Sequence, residues 1–295
     1  VTLPVDLMAF TVERYADRVE WLAARRQGIG GSDAPGLWLP SKHTSPLAIY
    51  ADKRGLRDDD GDSTVLMVGR ALEPGLRTIY GHVTGRLVEY PGECVIYRST
   101  RWPWMLASLD GVTFDDARPS PAPLELKNRG GYASWDEGIP LPIQLQMQHQ
   151  LAVTGWDWAS GLGLLQGNRP AWQDIERDDR WIAAHVERCR VLMERVAAGE
   201  PPDADDSEAT ADALRALYAA DNGAEVVLSE DALRWAQTWR ESGEDRDTAD
   251  TARTWAENKL RRAVGDAARG RLPDGTVIDL KTQKDGKRVL RWKGK

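Results

Sequence analysis

Apolar residues along this chain change their period several times, and each change marks an element. Over 11–26, "TVERYADRVEWLAARR", Val12, Tyr15, Val19 and Leu22 recur at helical spacing and predict a first helix. The glycines and Ser32-Asp33 of "QGIGGSDAPGLW" mark a tight turn before a short helix near Asp33 to Leu37. "SPLAIYADKRGL" predicts another short helix, with Ser45 as its cap and Pro46 in its first turn. Beyond a polar loop, "DDDGDS" at 58–63, residues 64–84 read as a helix that Pro74 should kink or restart. The pattern then becomes strand-like in "RLVEY", "ECVIYRS" and "WPWMLASLDGVTFDD", where Asp110-Gly111 signals a hairpin turn. The proline-rich loop "ARPSPAP" leads into the apolar run "LELKN", and "GYASWDEGIPLP" reads as a loop. A helix over 143–155 stops at Gly155, strands follow in "WASGLGLLQG" and "AWQDIERD", and a long helix spans 178–198.

This order predicts an α/β fold, helices flanking a central mixed sheet. The domain reading is 1–202 as the core, 203–228 as an acidic linker with a short helix, and 229–295 as a helical extension ending in a small basic β-hairpin around "KDGK". Leu233, Trp235, Trp239, Trp255 and Leu260 form the apolar stripe of that extension.

Composition narrows the class. No apolar run approaches the roughly 18 residues of a membrane span. The first residues lack a basic, apolar leader, and the expectation is a cytoplasmic protein without a secretory signal. Cys94 and Cys189 are the only cysteines, which excludes a zinc ribbon or a four-cysteine cluster. The net charge of −7 hides an uneven distribution. Residues 1–199 carry −4, residues 200–250 carry −11, and residues 251–295 carry +8. Any contact with a polyanion must therefore be local.

Charge inside apolar runs carries the chemistry. In "LELK" (124–127), Glu125 and Lys127 are two apart and share a strand face, while Leu124 and Leu126 point to the core. Asp110 in "SLDG" lies at a strand end nearby in the hairpin. Two carboxylates on neighbouring strands can share a divalent cation, and a lysine beside them can offset charge on a phosphate. Glu73 on the 64–84 helix offers a further carboxylate, and "QLQMQHQ" offers glutamines, Gln144 and Gln148 on one helical face and Gln146 and Gln150 on another. A solvent-facing edge strand and a polar surface helix would account for the same letters.

The run "RRQGIGGSDAPGL", "GRALEPGLRTIYGHVTG", "MLASLDG", "LELKN", "IPLPIQLQMQHQLAVTG" and "ERVAAGEPP" resembles the YqaJ-type viral recombinase family, over residues 20–202. That family includes the phage lambda exonuclease and belongs to the PD-(D/E)xK nuclease superfamily, so the resemblance implies a restriction-endonuclease-like core. It implies Mg²⁺ or Mn²⁺ bound by Asp110, Glu125, the Leu126 carbonyl and, directly or through water, Glu73. Lys127 matches the catalytic lysine and Gln148 the glutamine behind the site. Arg25, Ser32 and Ser108 match a pocket for a DNA 5′-phosphate, with Arg26 the alternative to Arg25. Leu109 stands where the superfamily name has proline, and Ile143 where the family often has tyrosine. The implied function is a metal-dependent exonuclease, 5′ to 3′ on duplex ends. Its product would be a 3′ overhang for a single-strand annealing recombination protein. The implied assembly is a homotrimer, away from membranes and in the host cytoplasm if phage-encoded. A catalytically idle DNA-binding scaffold and a structure-specific endonuclease are the alternatives.

A second run, "LPDGTVIDLK" (272–281), matches the superfamily spacing and keeps its proline, but no glutamine helix follows it. The expectation there is a β-appendage whose basic residues touch DNA or a partner.

Overall fold

The computed structural model describes residues 9–57, 64–129, 135, 138–221, 223, 225, 227–264, 266–284 and 287–293. The loop expected at 58–63, most of the loop over 130–137 and the centre of "KDGK" lie outside these residues. The chain divides into two compact units, Val1–Asp221 and Asn222–Lys295.

The first unit begins with β1 (Phe10–Arg14), α1 (Arg18–Arg25), α2 (Ala34–Trp38), α3 (Pro46–Lys53) and α4 (Thr64–Thr84). Five strands follow, β2 (Leu87–Glu89), β3 (Val95–Ser99), β4 (Leu106–Ala107), β5 (Gly111–Phe114) and β6 (Ala122–Arg129). It closes with α5 (Leu141–Thr154), β7 (Trp158–Leu165), β8 (Arg169–Glu176), α6 (Asp179–Ala198) and α7 (Glu208–Leu217). A five-stranded sheet has the order β2-β5-β6-β7-β8, and a smaller sheet has the order β1-β3-β4. Only β6 and β7 run parallel in the larger sheet. The fold is thus a central mixed sheet flanked by helices.

The predicted helix over 11–26 is split. Residues 10–14 pair antiparallel with β3, Phe10 opposite Ser99 and Arg14 opposite Val95. Arg98 Nε lies 2.6 Å from the Glu13 carboxylate, which fixes this pairing. The helix starts only after Asp17, whose side chain accepts from the Val19 and Glu20 amides. Distant pairing thus overrides local period. The α4 helix continues through Pro74 without interruption.

The segment read as a linker holds α7. Ala209 and Ala213 pack on Leu47, Ala48 and Ala51 of α3. Thr210 Oγ1 donates to Ser45 Oγ at 2.8 Å, so the first unit runs to Asp221.

Two helices cover the main sheet. Leu76 and Tyr80 of α4 pack on Leu124, Leu126, Leu162 and Leu164. On the other face, β7 has glycines where α5 comes close. A Cβ at Gly161 would lie 3.1 Å from Ile139 and 3.4 Å from Met147, and one at Gly163 only 2.6 Å from Trp135.

A polar chain crosses the core of this unit. Trp38 Nε1 donates to His185 Nδ1 at 3.0 Å, His185 and His149 meet at 2.8 Å, and His149 Nε2 lies 2.8 Å from the Leu106 carbonyl. Because a carbonyl only accepts, each ring carries its proton on Nε2 and both are neutral. Both are fully buried.

The second unit contains α8 (Glu230–Val264), β9 (Arg269–Arg271), β10 (Val277–Thr282) and β11 (Arg288–Trp292). Its tail is a three-stranded sheet, order β11-β10-β9, rather than the expected hairpin. The extra strand arises at Asp274-Gly275, where Gly275 takes φ +90° and Leu272 N donates to Thr276 O at 2.8 Å. The apolar stripe of α8 is not covered, with Trp239 81% exposed. Among the described residues no helix is long and apolar enough to cross a membrane.

Burial lowers the pKa of His149 to about 4 and that of His185 to about 2. The unfolded chain then binds protons that the folded chain refuses. This stability is fully present above about pH 6.5 and falls as pH drops toward 4, by about 1.4 kcal/mol per pH unit for each histidine. Urea unfolding at pH 7 and pH 5 should show the wild type losing about 2 kcal/mol more between the two than His185→Gln, a difference in which the raised carboxyls common to both cancel.

Candidate active site

The strand ladder between β5 and β6 ends where Gly111 faces Leu124. Just before β5, Asp110 continues the pairing with its side chain, and Asp110 Oδ2 accepts from the Leu126 amide at 2.8 Å. This pins one of the two carboxyl oxygens. On β6, the Glu125 carboxyl is only 1% exposed. Lys127 pairs with Glu125 Oε1 from the same strand face. Gln150 Nε2 donates to Glu125 Oε2 at 2.7 Å. The β7 residues opposite Glu125 and Lys127 are Gly161 and Gly163, so no neighbouring side chain crowds them within the sheet.

Glu73 approaches from α4. Its Oε2 is 3.9 Å from Arg77 Nη1, and Arg77 Nη1 donates to the Asp110 carbonyl at 2.8 Å. The Arg77 guanidinium also lies 3.9 Å over the Tyr90 ring. Arg77 therefore joins the helix acid to the turn that bears Asp110.

The electrostatics of the cluster are unfavourable when it is left to itself. Burial raises the Asp110 carboxyl, and the Glu125 charge raises it further. Burial also raises Glu73, against the pull of Arg77 and with a further push from Glu125. Acids that resist ionisation together form a site for a cation of high charge. Gln150 Oε1 is buried without a hydrogen-bond partner, an unused acceptor beside Glu125. Buried carboxylates and an orphaned acceptor fit a divalent metal with bound water.

The glutamine assignment changes. Gln148 faces away from the carboxylates, donating to Glu176 O at 2.6 Å and accepting from Asp178 N at 2.9 Å. It secures the turn into α6. Gln150, on the helical face it shares with Gln146, is the glutamine that meets Glu125. Gly31 lies on this face too, where a Cβ would be 3.3 Å from Gln146.

The glycine turn after α1 brings Arg25 and Ser32 together, Arg25 Nη2 donating to Ser32 Oγ at 2.9 Å. The Arg25 guanidinium stacks 4.6 Å over Trp21. It is Arg25, then, that meets Ser32, and Arg26 forms the helix C-cap. The turn is closed from within, since Gly30 N donates to Asp33 Oδ2 at 2.8 Å and buried Lys53 reaches the same oxygen at 2.8 Å. Burial alone would raise the Asp33 carboxyl, but Lys53 and Arg25 hold it below its ordinary value. Ser108 follows β4, which the Ile29–Met105 bridge lays beside this turn, but its hydroxyl donates to the Val95 carbonyl. Sequence reading missed Asp33, Lys53 and Arg77. Asp33 had a local signal in the turn, whereas Lys53 and Arg77 act through contacts that tertiary folding creates.

A second ligand-rich cluster, His149, His185 and Cys189, is buried in the core. Every ring nitrogen there already has a partner, and burial raises the Cys189 thiol, which opposes the thiolate a metal needs. That cluster is structural.

Residues 20–157 match the YqaJ-like viral recombinase domain. Over 212 residues the chain is 31% identical to protein YqaJ of Bacillus subtilis (strain 168), covering 68% of this chain. The chain spans 64% of the length of that relative. Among solved structures, an alkaline exonuclease of Laribacter hongkongensis is similar at 22% identity and a TM-score of 0.49, over 61% of this chain and 93% of that one. A phage related exonuclease from Haemophilus somnus 129PT is similar at 12% identity and a TM-score of 0.42, over 58% and 96%.

Calorimetric titration with Mn²⁺ separates the two glutamines. Glu125→Gln should abolish uptake, Gln150→Ala should weaken it by about 10–100-fold, and Gln148→Ala should leave it unchanged. Equal effects at both glutamines would contradict the assignment.

Proposed function

We propose, from the match of residues 20–157 to the YqaJ-like viral recombinase domain, that the chain is a metal-dependent DNA exonuclease. It degrades duplex ends 5′ to 3′ and leaves 3′ single-stranded overhangs for a recombination protein that anneals them. The observation that carries this reading is the pair Glu125 and Asp110, two carboxyls crowded at a strand end with Lys127 beside them. Glu125, Asp110, the Leu126 carbonyl and Glu73 would hold Mg²⁺ or Mn²⁺, which supplies Lewis-acid activation of water and of the phosphodiester.

The protein's own groups have separate tasks. The Leu126 amide orients Asp110, and Gln150 fixes one oxygen of Glu125. Lys127, held beside Glu125, offsets negative charge building on the scissile phosphate. Its partner glycine on β7, Gly163, adds no side chain of its own beside it. Arg25 and Ser32 offer a guanidinium and a hydroxyl to a terminal phosphate, and Ser108 would join them only by giving up its bond to the Val95 carbonyl. Asp33 and Lys53 hold the turn that carries them. A 5′-phosphate gripped there would set the direction of digestion. The trimer and the annealing partner belong to the same proposal and rest on the family alone.

End-labelled duplexes with and without a 5′-phosphate test the reading. The wild type should prefer the phosphorylated end, and Arg25→Ala should lose about 10–100-fold on that end alone, the value of a hydrogen bond to a charged group. Asp110→Asn should remove cleavage while DNA binding persists. Nicking of closed circular DNA would instead mark a structure-specific endonuclease.

A further inference from the structure

The second compact unit holds the other acid-leucine-lysine run, and its surroundings point elsewhere. Side chains alternate between the faces of a strand, so the register of the three-stranded sheet sorts them. Ile278 faces Trp292 and Gly270, and Leu280 faces Leu290, which puts these residues on one side. On the other side Asp279 lies between Arg269 and Arg291, Val277 faces Arg271, and Lys281 faces Val289. The Lys293 amide donates to the Val277 carbonyl at 3.0 Å, which extends this side by one more cation. Five basic residues therefore surround one carboxylate, and all five are exposed while Asp279 is 3% exposed.

Asp279 is consumed by its neighbours. Arg269 Nε lies 2.7 Å from Oδ1 and Lys281 Nζ 3.5 Å from Oδ2, and Arg269 above all holds the carboxyl below its ordinary value. That is the reverse of Asp110, so the run "IDLK" is a structural ion pair rather than a second metal site. Among the described residues Arg271 and Arg291 hydrogen-bond neutral oxygens, Gly275 O at 3.2 Å and Gln283 Oε1 at 3.3 Å, which do not cancel their charge.

We propose that this basic face, Arg269, Arg271, Lys281, Arg291 and Lys293 arranged around Asp279, binds the sugar–phosphate backbone of duplex DNA. The proposal rests on the reading of the first unit as a DNA nuclease, which supplies the polyanion. The composition of the face selects the partner. It carries surplus positive charge in a chain that is acidic overall. Its only apolar members are Val277 and Val289, which rules out insertion into a lipid surface. Trp292 lies on the opposite side, so among the described residues this sheet face presents no aromatic ring to stack on unpaired bases. What remains is contact with phosphates, independent of sequence and weakened by salt. Asp279 acts as a fixed post that holds Arg269 and Lys281 in place.

The test uses the full chain, a labelled short duplex and EDTA, so that binding is read without cleavage. Replacing Arg271, Arg291 and Lys293 together by Gln should lower affinity tenfold or more at about 0.1 M salt. It should also reduce the slope of log K against log salt by about 0.9 for each phosphate that the variant leaves unneutralised. Arg271→Lys with Arg291→Lys should restore most of the slope, which a fold defect would not allow. Unchanged affinity and slope in the Gln variant would overturn the proposal. Tighter binding of an acidic peptide copying residues 206–225 than of the duplex would overturn it as well, by giving the face to a protein. Cleavage of the same duplex by the wild type with Mg²⁺ is the separate arm: a failed nuclease reading gives no cleavage while the Gln variant still loses affinity and slope, and a failed basic face gives cleavage with affinity and slope unchanged.

Discussion

A carboxylate buried in the middle of a sheet is the constraint on which the first unit depends. Glu125 sits on β6 between two strands and under a helix, where an unpaired charge costs several kcal/mol. Its neighbours are arranged to make that tolerable. Lys127 meets one oxygen and Gln150 the other, and Gly161 stands opposite on β7. The alternation that exposes Glu125 and Lys127 to one side also sends Leu124 and Leu126 into the α4 interface. The strand therefore satisfies the core and the site with one pattern, and moving it by a single residue would ruin both.

The two acid-leucine-lysine runs show how surroundings, rather than letters, assign chemistry. In the first unit three acids crowd together out of water, and burial first, with the Glu125 charge adding to it, pushes Asp110 and Glu73 up. In the second unit one acid is outnumbered by cations and is pushed down. The better match to a superfamily spacing, Asp274 to Asp279, fails because Asp274 spends both of its oxygens on Thr276 in the turn.

Much of the first unit could be read from its residues. The strand periods, the Asp178 cap of α6 and the Gly155 stop of α5 are local signals, and the structure keeps them. Asp110, Glu125 and Lys127 could be placed side by side from their strands, but their letters alone did not separate a site from an edge strand, as the same run at 279–281 shows. The glutamine was not legible, since four glutamines at every second position present two helical faces, and only packing against β6 decides between them. The α1 region misled for a similar reason: Val12 and Tyr15 fit a helix until β3 offers a partner with Arg98 to hold Glu13. The "SGLGLL" of β7 carried an unread signal, glycines at every second position that make room for Trp135, Met147 and Ile139.

The histidine chain through the core has a direction. Each group gives a proton to the next, from the Trp38 indole to His185, to His149, and last to the Leu106 carbonyl. Neither ring can turn over alone, because a reversed ring would set two donors or two acceptors against each other. Helices α2, α5 and α6 and strand β4 are therefore fastened by a thread that must be released as a whole. Local fraying of any one of them is discouraged, and the four elements open to solvent as one cooperative block.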